Sequence, residues 1–220
     1  MSKLLRIGVL ASGGGTNLQA IIDRCKDGTL AAEIAVVISN NPGAGALDRA
    51  HRAGIPTLCI NHRLFSCREE FDDAVVRALQ ESQVDLVVLA GFMRIITPTF
   101  IEAFPEQIIN IHPALLPAFP GLHVQQQAID YGARFSGCTV HFVDGGVDTG
   151  PIIIQAVVPI LPDDSADTLS ARILEQEHKI YPRAIQLISE GRVQVDGRKV
   201  TILPVRSVAA TALVNPSLDD

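Results

Sequence analysis

The sequence predicts an α/β fold, in which a Rossmann-like, mostly parallel sheet has helices on both faces and a mixed, antiparallel C-terminal part follows. Three observations predict it. Short apolar runs rich in Val, Ile and Leu alternate with helix-like stretches in the first half, which is typical of a parallel sheet buried on both faces. Such crossovers are right-handed, so they produce a doubly wound sheet. After residue 111 the alternation stops, and two strand-like runs flank a loop rich in Gly and Asp.

The front half contains five predicted strands and three predicted helices. The strands are continuous apolar runs, as expected for strands covered on both faces; they are Leu4–Leu10, Ile34–Ser39, Thr57–Ile60, Asp85–Ala90 and Gln107–Ile111. The helices carry apolar residues at helical spacing, or are rich in Ala and stop at a Gly; they are Asn17–Cys25, Ala44–Ala53 and Arg68–Gln80.

The back half begins with a proline-rich loop, His112–Leu122, and a short predicted helix, Val124–Tyr131. Two strands joined by a short loop pair antiparallel, because a parallel pair needs a longer crossover. A long amphipathic helix follows, in which Pro182 is expected to cause a kink or a break. A hairpin then turns at Asp196-Gly197, in the type I′ manner. The two strands are Gly137–Val143 and Ile152–Pro159, with the loop Asp144–Gly150 between them. The long helix is Asp167–Ser189, and the hairpin is Arg192–Ile202.

Composition excludes several classes of protein. The chain of 220 residues is 47% hydrophobic and 19% charged, which is too apolar for a disordered chain. Its net charge of −6 argues against a general nucleic-acid-coating protein, which has a basic face. No apolar run approaches the roughly 18 residues of a membrane helix. The four cysteines form no C-x-x-C pair, so we expect reduced packing cysteines in a cytoplasmic protein rather than a zinc site or a disulfide framework.

A glycine-rich loop, Ser12–Asn17 (SGGGTN), joins the first strand to the first helix. Glycines let a ligand approach the backbone, and the helix N-terminus offers free N–H groups that suit a phosphate. Thr16 and Asn17 add side-chain donors and capping capacity. No Lys follows the glycines and no G-x-G-x-x-G is present, which argues against a P-loop NTPase and a dinucleotide cofactor. A plain glycine turn remains the alternative.

The motif Asn110-Ile111-His112-Pro113 ends the fifth predicted strand. Strand alternation places Asn110 and His112 on one face, and Pro113 ends the strand. An amide donor beside an imidazole suits acyl transfer through a tetrahedral intermediate, with one donor for the oxyanion and one acid or base for the proton. A carboxylate would orient the ring; from the residues alone, the candidates are Asp85, Asp130, Asp144 and Asp148. The alternative is a structural histidine.

No nucleophile of the protein is evident, because no G-x-S-x-G motif occurs. Metal ligation is not expected either, because the six histidines show no H-x-H or H-E-x-x-H spacing. We therefore expect the attacking amine or water to come from a substrate, without a metal.

Several motifs together resemble the folate-dependent formyltransferase family, in register from about Leu4 to about Arg192. They occur in the order of that family, which makes them more specific than any one motif. The glycine loop narrows the resemblance to members that act on glycinamide ribonucleotide. The motifs are Ser12–Ala20 (SGGGTNLQA), Leu89–Arg94 (LAGFMR), Asn110–Pro117 (NIHPALLP), Pro120–His123 (PGLH), Thr139–Val143 (TVHFV), and Asp148 with Gly150–Ile153 (GPII).

The resemblance implies transfer of a formyl group from the co-substrate 10-formyltetrahydrofolate to the amine of glycinamide ribonucleotide, in purine biosynthesis and without a metal. It implies a catalytic trio of Asn110, His112 and Asp148, so that Asp148 is the acidic member. The implied ribonucleotide site is Gly15, Thr16 and Asn17 for the phosphate, with Glu177 as a further contact. The implied folate site comprises Arg68, Met93, Arg94, Ile95, Ile96, Asn110, Asp144, Gly145, Gly146, Val147 and Asp148.

On this interpretation residues 1–204 form one formyltransferase domain, with a phosphate-binding front half, 1–111, and a folate-loop back half, 112–204. Residues 205–220 are a tail. We expect small-molecule substrates, no nucleic-acid or membrane partner, and a monomer or weak homodimer. Three alternatives stay open: a 10-formyltetrahydrofolate hydrolase, a formyltransferase acting on another amine such as that of initiator tRNA, and a nucleotide-binding module without chemistry. The last leaves Asn110, His112 and Asp148 unaccounted for.

Overall fold

A seven-stranded mixed sheet forms the centre of the computed structural model, which describes residues 4–204, 213 and 215. Its strands are β1 (Leu5–Leu10), β2 (Ala32–Ser39), β3 (Thr57–Cys59), β4 (Leu86–Leu89), β5 (Ile108–His112), β6 (Phe135–Phe142) and β7 (Ile152–Pro159). They are arranged in the order β3-β2-β1-β4-β5-β6-β7. The first five strands are parallel, whereas β6 and β7 are antiparallel to their neighbours. The predicted fold class is confirmed.

Six α-helices connect the strands: α1 (Thr16–Lys26), α2 (Gly45–Arg52), α3 (Arg68–Glu81), α4 (Pro98–Ala103), α5 (Val124–Tyr131) and α6 (Ala166–Ser189). Helix α4 and a 3₁₀ turn at His62–Leu64 were not predicted, because neither is long enough to show a helical period. The one available signal was Pro98, which occupies the first turn of α4, where proline is favoured. Among the described residues, no helix combines the length and the apolar run that crossing a bilayer demands.

Alternate residues of the central strands pack into two separate cores, which explains the continuous apolar runs. In β4, Leu86 and Val88 pack on one side with side chains of α1 and α6. Val87 and Leu89 pack on the other side with side chains of α3 and α4. A strand buried on both faces cannot alternate apolar with polar residues, so its sequence is apolar throughout.

Two details of the back half are decided by the structure. Of the kink or break expected at Pro182, the break is absent, because Pro182 is buried within one helix of 24 residues. The hairpin pairs β8 (Val193–Asp196) with β9 (Lys199–Ile202), and Asp196 faces Lys199, so the two turn residues are Gly197 and Arg198. Of these only Gly197 has a positive φ, which is the pattern of a type II′ turn and not of the predicted type I′ turn. The predicted tail, 205–220, lies outside the described residues except for positions 213 and 215.

The strand order reverses direction between β1 and β4, and this point is the topological switch of the sheet. The glycine loop follows β1 and the segment from Gly91 follows β4, so both lie at the carboxyl edge where such sheets bind ligands. The two loops contact each other: the amide of Ser12 donates to the Gly91 carbonyl at 3.0 Å, and the amide of Met93 donates to Ser12 Oγ at 2.8 Å. The fold therefore brings these separate motifs together.

The fully buried Tyr181 ties α6 to this edge, since its hydroxyl lies 2.9 Å from the Leu89 carbonyl and 3.2 Å from that of Ile109. Tyr181→Phe is expected to lower the free energy of unfolding by about 1–2 kcal/mol, because a buried hydrogen bond is lost. Urea denaturation followed by circular dichroism measures this. Tyr131→Phe is the matched control, because the Tyr131 side chain is exposed. Equal stability of the two variants would contradict the prediction.

Candidate active site

The strand β5 presents Asn110 and His112 on the same face, as the sequence predicted. Pairing with β6 places His141 opposite Asn110 and Thr139 opposite His112. Directly opposed residues of antiparallel strands share a face, so all four side chains lie on one side of the sheet. His112 is buried and Asn110 is half-buried.

Both ring nitrogens of His112 face acceptors. Nε2 lies 2.9 Å from the backbone carbonyl of Phe119, and Nδ1 lies 3.3 Å from Asp148 Oδ2. A carbonyl oxygen only accepts, so Nε2 carries a hydrogen. Each ring nitrogen thus has its own acceptor, and the two contacts fix the orientation of the ring.

Four aspartates were candidates for the carboxylate that orients His112. Of these, the structure places Asp148 against the imidazole. It adopts a positive φ of 54° and accepts a hydrogen bond of 2.9 Å from the amide of Gly121. The other three are engaged elsewhere: Asp85 accepts from the Arg6 amide, Asp130 from Gln126, and Asp144 from Gly146 within its own loop.

The β6–β7 loop folds back over the sheet to bring Asp148 to this position. β6 runs antiparallel to β5, so its end at Phe142 lies beside Ile109, at the start of β5 and away from His112. Asp148 nevertheless reaches both His112 and His141, with its Oδ1 3.7 Å from His141 Nε2. The loop therefore lies across the face that carries the two imidazoles.

His141 is a site residue that the sequence reasoning did not assign. Its Nδ1 donates to the Phe142 carbonyl at 2.7 Å, and its Nε2 lies 3.3 Å from Asn110 Nδ2. Burial lowers the pKa of His141, so the neutral ring accepts one of the two N–H groups of Asn110. Among the described residues the other N–H of Asn110 has no hydrogen-bond acceptor, so it is left for a ligand. The pairing of β5 with β6 was the signal that would have found His141.

The glycine loop holds the N-terminus of α1 open. Gly15 is the N-cap with φ 74°, and a Cβ built there would lie 2.7 Å from the Ala46 Cα atom. Only glycine fits this left-handed conformation and close approach. No side chain of the described residues caps α1, contrary to the capping expected of Thr16 and Asn17. The amides of the first turn therefore stay available to an anion.

Asn17 turns instead toward α6, where its Nδ2 donates to Glu177 Oε2 at 2.7 Å. Both side chains are buried, and burial raises the pKa of Glu177. Within the described part of the chain, Asn17 Oδ1 is buried without a hydrogen-bond partner. The structure thus joins the two parts of the predicted ribonucleotide site and leaves an acceptor there.

The residues assigned to folate lie in three segments. Met93 and Ile95 are 70% and 57% exposed, whereas Ile96 is buried in the core beside α3. The Arg94 guanidinium lies 5.1 Å from the centre of the Phe71 ring, and Arg68 is exposed in the first turn of α3. Exposed apolar side chains after β4 are what a flat aromatic ligand requires.

The third segment is the loop from Asp144 to Asp148. Its Gly145, Gly146 and Val147 are exposed. Asp144 closes the loop by accepting from the Gly146 amide at 3.1 Å and from the Thr149 hydroxyl. A Cβ at Gly146 would meet the Thr149 side chain, which would have to shift to admit it. Among the described residues, no group of three or more His, Cys, Asp or Glu side chains is placed to hold a metal ion.

Comparison with known proteins decides the family. The family profile described as formyl transferase matches residues 5–185. The chain belongs to this family. The resemblance predicted from the motifs is thereby confirmed. A glycinamide ribonucleotide transformylase from Symbiobacterium toebii superposes with a TM-score of 0.91 and 52% identity, over 92% of this chain and 96% of that one.

Two curated relatives are similar in sequence. A phosphoribosylglycinamide formyltransferase from Haemophilus influenzae is 50% identical over 86% of this chain and 90% of its own length. The trifunctional purine biosynthetic protein adenosine-3 of Drosophila melanogaster is 52% identical over 84% of this chain. The chain spans only 14% of the length of that trifunctional relative. The match thus corresponds to one part of a larger protein in the fly and to nearly all of the bacterial protein.

Proposed function

We propose that this protein transfers the formyl group of 10-formyltetrahydrofolate to the amine of glycinamide ribonucleotide, giving formylglycinamide ribonucleotide and tetrahydrofolate. The observation that carries the proposal is the meeting of Asn110, His112 and Asp148 on one face of β5. An amide donor beside an imidazole held by a carboxylate suits an acyl transfer whose intermediate carries an oxyanion. The names of the similar proteins support the same substrates.

The ribonucleotide phosphate binds at Gly15, Thr16 and Asn17 in this proposal. The uncapped amides of α1 and its positive dipole end favour an anion. Glu177 and the unpaired Oδ1 of Asn17 are acceptors for the hydroxyl or amide donors of the same substrate. Phosphate binding at this point leaves the rest of the ribonucleotide to extend along the carboxyl edge toward β5.

The folate lies against the segments after β4 and β6. Met93, Ile95 and Val147 supply exposed apolar surface for the pterin, while Ile96 supports the segment from the core. The backbone of 144–148 forms hydrogen bonds with the edge of the pterin ring. The Arg68 guanidinium pairs with the carboxylates of the glutamate tail of the folate. Arg94, stacked on Phe71, fixes the position of its segment.

In the reaction, the substrate amine attacks the formyl carbon, and a new C–N bond forms to give a tetrahedral intermediate with an oxyanion. The bond from that carbon to the folate nitrogen then breaks. Asn110, through its free N–H, and the adjacent His112 imidazole stabilise the oxyanion. Asp148 keeps the His112 ring charged and oriented. The amine proton passes to the departing folate nitrogen, with Asp148 and His112 assisting. Positioning of the two substrates supplies most of the remaining rate increase.

We further propose that residues 1–204 act as one formyltransferase domain in the cytoplasm, as a monomer or weak homodimer without a metal. The experiment that tests the main proposal follows folate release by absorbance, with the ribonucleotide or with water alone. Release that depends on the ribonucleotide supports the transferase. Equal release in water would instead assign a 10-formyltetrahydrofolate hydrolase, which the names of the similar proteins do not favour.

Thr16→Ala is expected to raise the KM for the ribonucleotide about tenfold and to leave the KM for the folate unchanged, because one hydrogen bond to a charged phosphate is lost. Asn17→Ala is expected to act in the same direction. Steady-state kinetics with each substrate varied in turn measure both effects. Thr201→Ala, at an exposed position of β9, is the control. Equal changes in the two KM values would contradict this phosphate site.

A further inference from the structure

We infer that Thr139 and Gln155 are positioning residues that anchor the loop after β5 and thereby hold the groups that orient His112 and Asp148. The inference rests on the proposed function for its kinetic readout. Neither residue belongs to the catalytic trio or to the substrate sites above. Both lie on the active-site face of the sheet, since Thr139 pairs with His112 on one side and with Gln155 on the other.

The Thr139 hydroxyl has no hydrogen-bonding capacity to spare. It donates to the Ala114 carbonyl at 2.7 Å, and it accepts from the Leu116 amide at 3.1 Å and from Gln155 Nε2 at 3.0 Å. One donor and two lone pairs are thus all used. Gln155 Nε2 also donates to the Leu116 carbonyl at 2.9 Å. Two side chains therefore satisfy three backbone groups of the loop.

A packing contact strengthens this anchor. Gly137 lies two residues before Thr139 on β6, and a Cβ built on it would lie 2.8 Å from Leu115 Cδ2. The missing side chain at Gly137 therefore makes room for Leu115. Hydrogen bonds at Ala114 and Leu116 and a seated side chain at Leu115 fix three consecutive residues of the loop against β6.

The anchored segment leads directly to the groups that hold the site. Three residues beyond Leu116 is Phe119, whose carbonyl accepts from His112 Nε2 at 2.9 Å. Gly121 follows, and its amide donates to Asp148 Oδ2 at 2.9 Å. A turn in which the Ala118 amide donates to the Leu115 carbonyl links the anchor to these two residues. Displacement of the anchor would therefore move both partners of the His112–Asp148 pair.

Thr139→Val removes the hydroxyl and keeps the shape of the side chain. We expect kcat to fall about tenfold, because a small misplacement of catalytic groups costs up to about 100-fold. The KM values for both substrates are expected to stay within about threefold, since no substrate contact is changed. Thr139→Ser retains the donor and both acceptor sites, so its kcat is expected to return to within about threefold of the native value.

Gln155→Ala tests the same anchor from an exposed position, where folding is not at risk. We expect kcat to fall about threefold with unchanged KM values. Val157→Ala, two residues along the same strand and also exposed, is the matched control. Thermal unfolding of each variant distinguishes a loss of folded protein from a loss of kcat. If Thr139→Val does not fold, the kcat of Gln155→Ala tests the inference.

Native kcat in folded Thr139→Val, or in Gln155→Ala, would overturn the inference, even if the melting temperature fell. So would a Thr139→Ser variant as slow as Thr139→Val. A native protein that releases folate without the ribonucleotide, or not at all, would instead contradict the proposed function. The two failures are therefore distinguishable within one set of assays.

Discussion

His112→Ala is expected to lower kcat by about 100-fold or more, which is the usual scale for loss of a general acid or base. The two ring nitrogens of His112 face two acceptors, Asp148 at Nδ1 and the Phe119 carbonyl at Nε2, so the ring is held beside Asn110. Alanine leaves the oxyanion with Asn110 alone. Single-turnover measurement of folate release gives the rate of the chemical step directly, and KM values close to native would show that the substrates still bind.

Asp148→Asn is expected to cause a similar loss of kcat for a different reason. An amide in this position no longer provides a negative charge beside His112 Nδ1, so the charged form of the ring loses its stabilisation. The Gly121 amide can still donate to the side-chain oxygen, so the loop keeps its shape. Asp130→Asn serves as the control, because Asp130 is exposed on α5 and bonds to Gln126 of the same helix. Near-native turnover in either His112→Ala or Asp148→Asn would contradict the proposed catalytic trio.

The sequence could predict what depends on local pattern. Side chains alternate between the two faces of a strand, so the spacing of Asn110 and His112 was enough to predict that both lie on one face of β5. The glycine loop was predicted at the carboxyl edge for the same kind of reason, since the order of strands and helices determines where β1 ends. In contrast, α4 is too short to show a helical period and was missed.

What the residues alone left open depends on register and on loops. Four aspartates were candidates for His112, and the choice of Asp148 follows from a loop that folds back over β5 and β6. Nothing in local spacing shows that fold. The Phe119 carbonyl carries no side-chain signal at all, because every residue has a carbonyl. The resemblance to a family supplied the identity of Asp148. It included Thr139 in one of its motifs, but it implied no role for Thr139 or Gln155.

Removal of the substrate phosphate is expected to lower kcat/KM about 1,000-fold. Glycinamide riboside has the same amine as the ribonucleotide and lacks only the anion. Three backbone or side-chain donors at Gly15, Thr16 and Asn17, each worth about 1.5 kcal/mol to a charged acceptor, give about 4.5 kcal/mol, which corresponds to roughly 2,000-fold and so to a loss of this order. These contacts are proposed at the open first turn of α1, since its uncapped amides suit an anion.

A double-mutant cycle between substrate and protein tests whether the phosphate acts at this loop. Thr16→Ala should slow the reaction of the ribonucleotide and leave the reaction of the riboside unchanged, because the lost donor has no partner in the riboside. Gly15→Ala should act more strongly, since its Cβ would meet Ala46 and displace the first turn. If Thr16→Ala slowed both substrates equally, the energetic contribution of the phosphate would lie elsewhere, and the uncapped N-terminus of α1 would be a structural feature only.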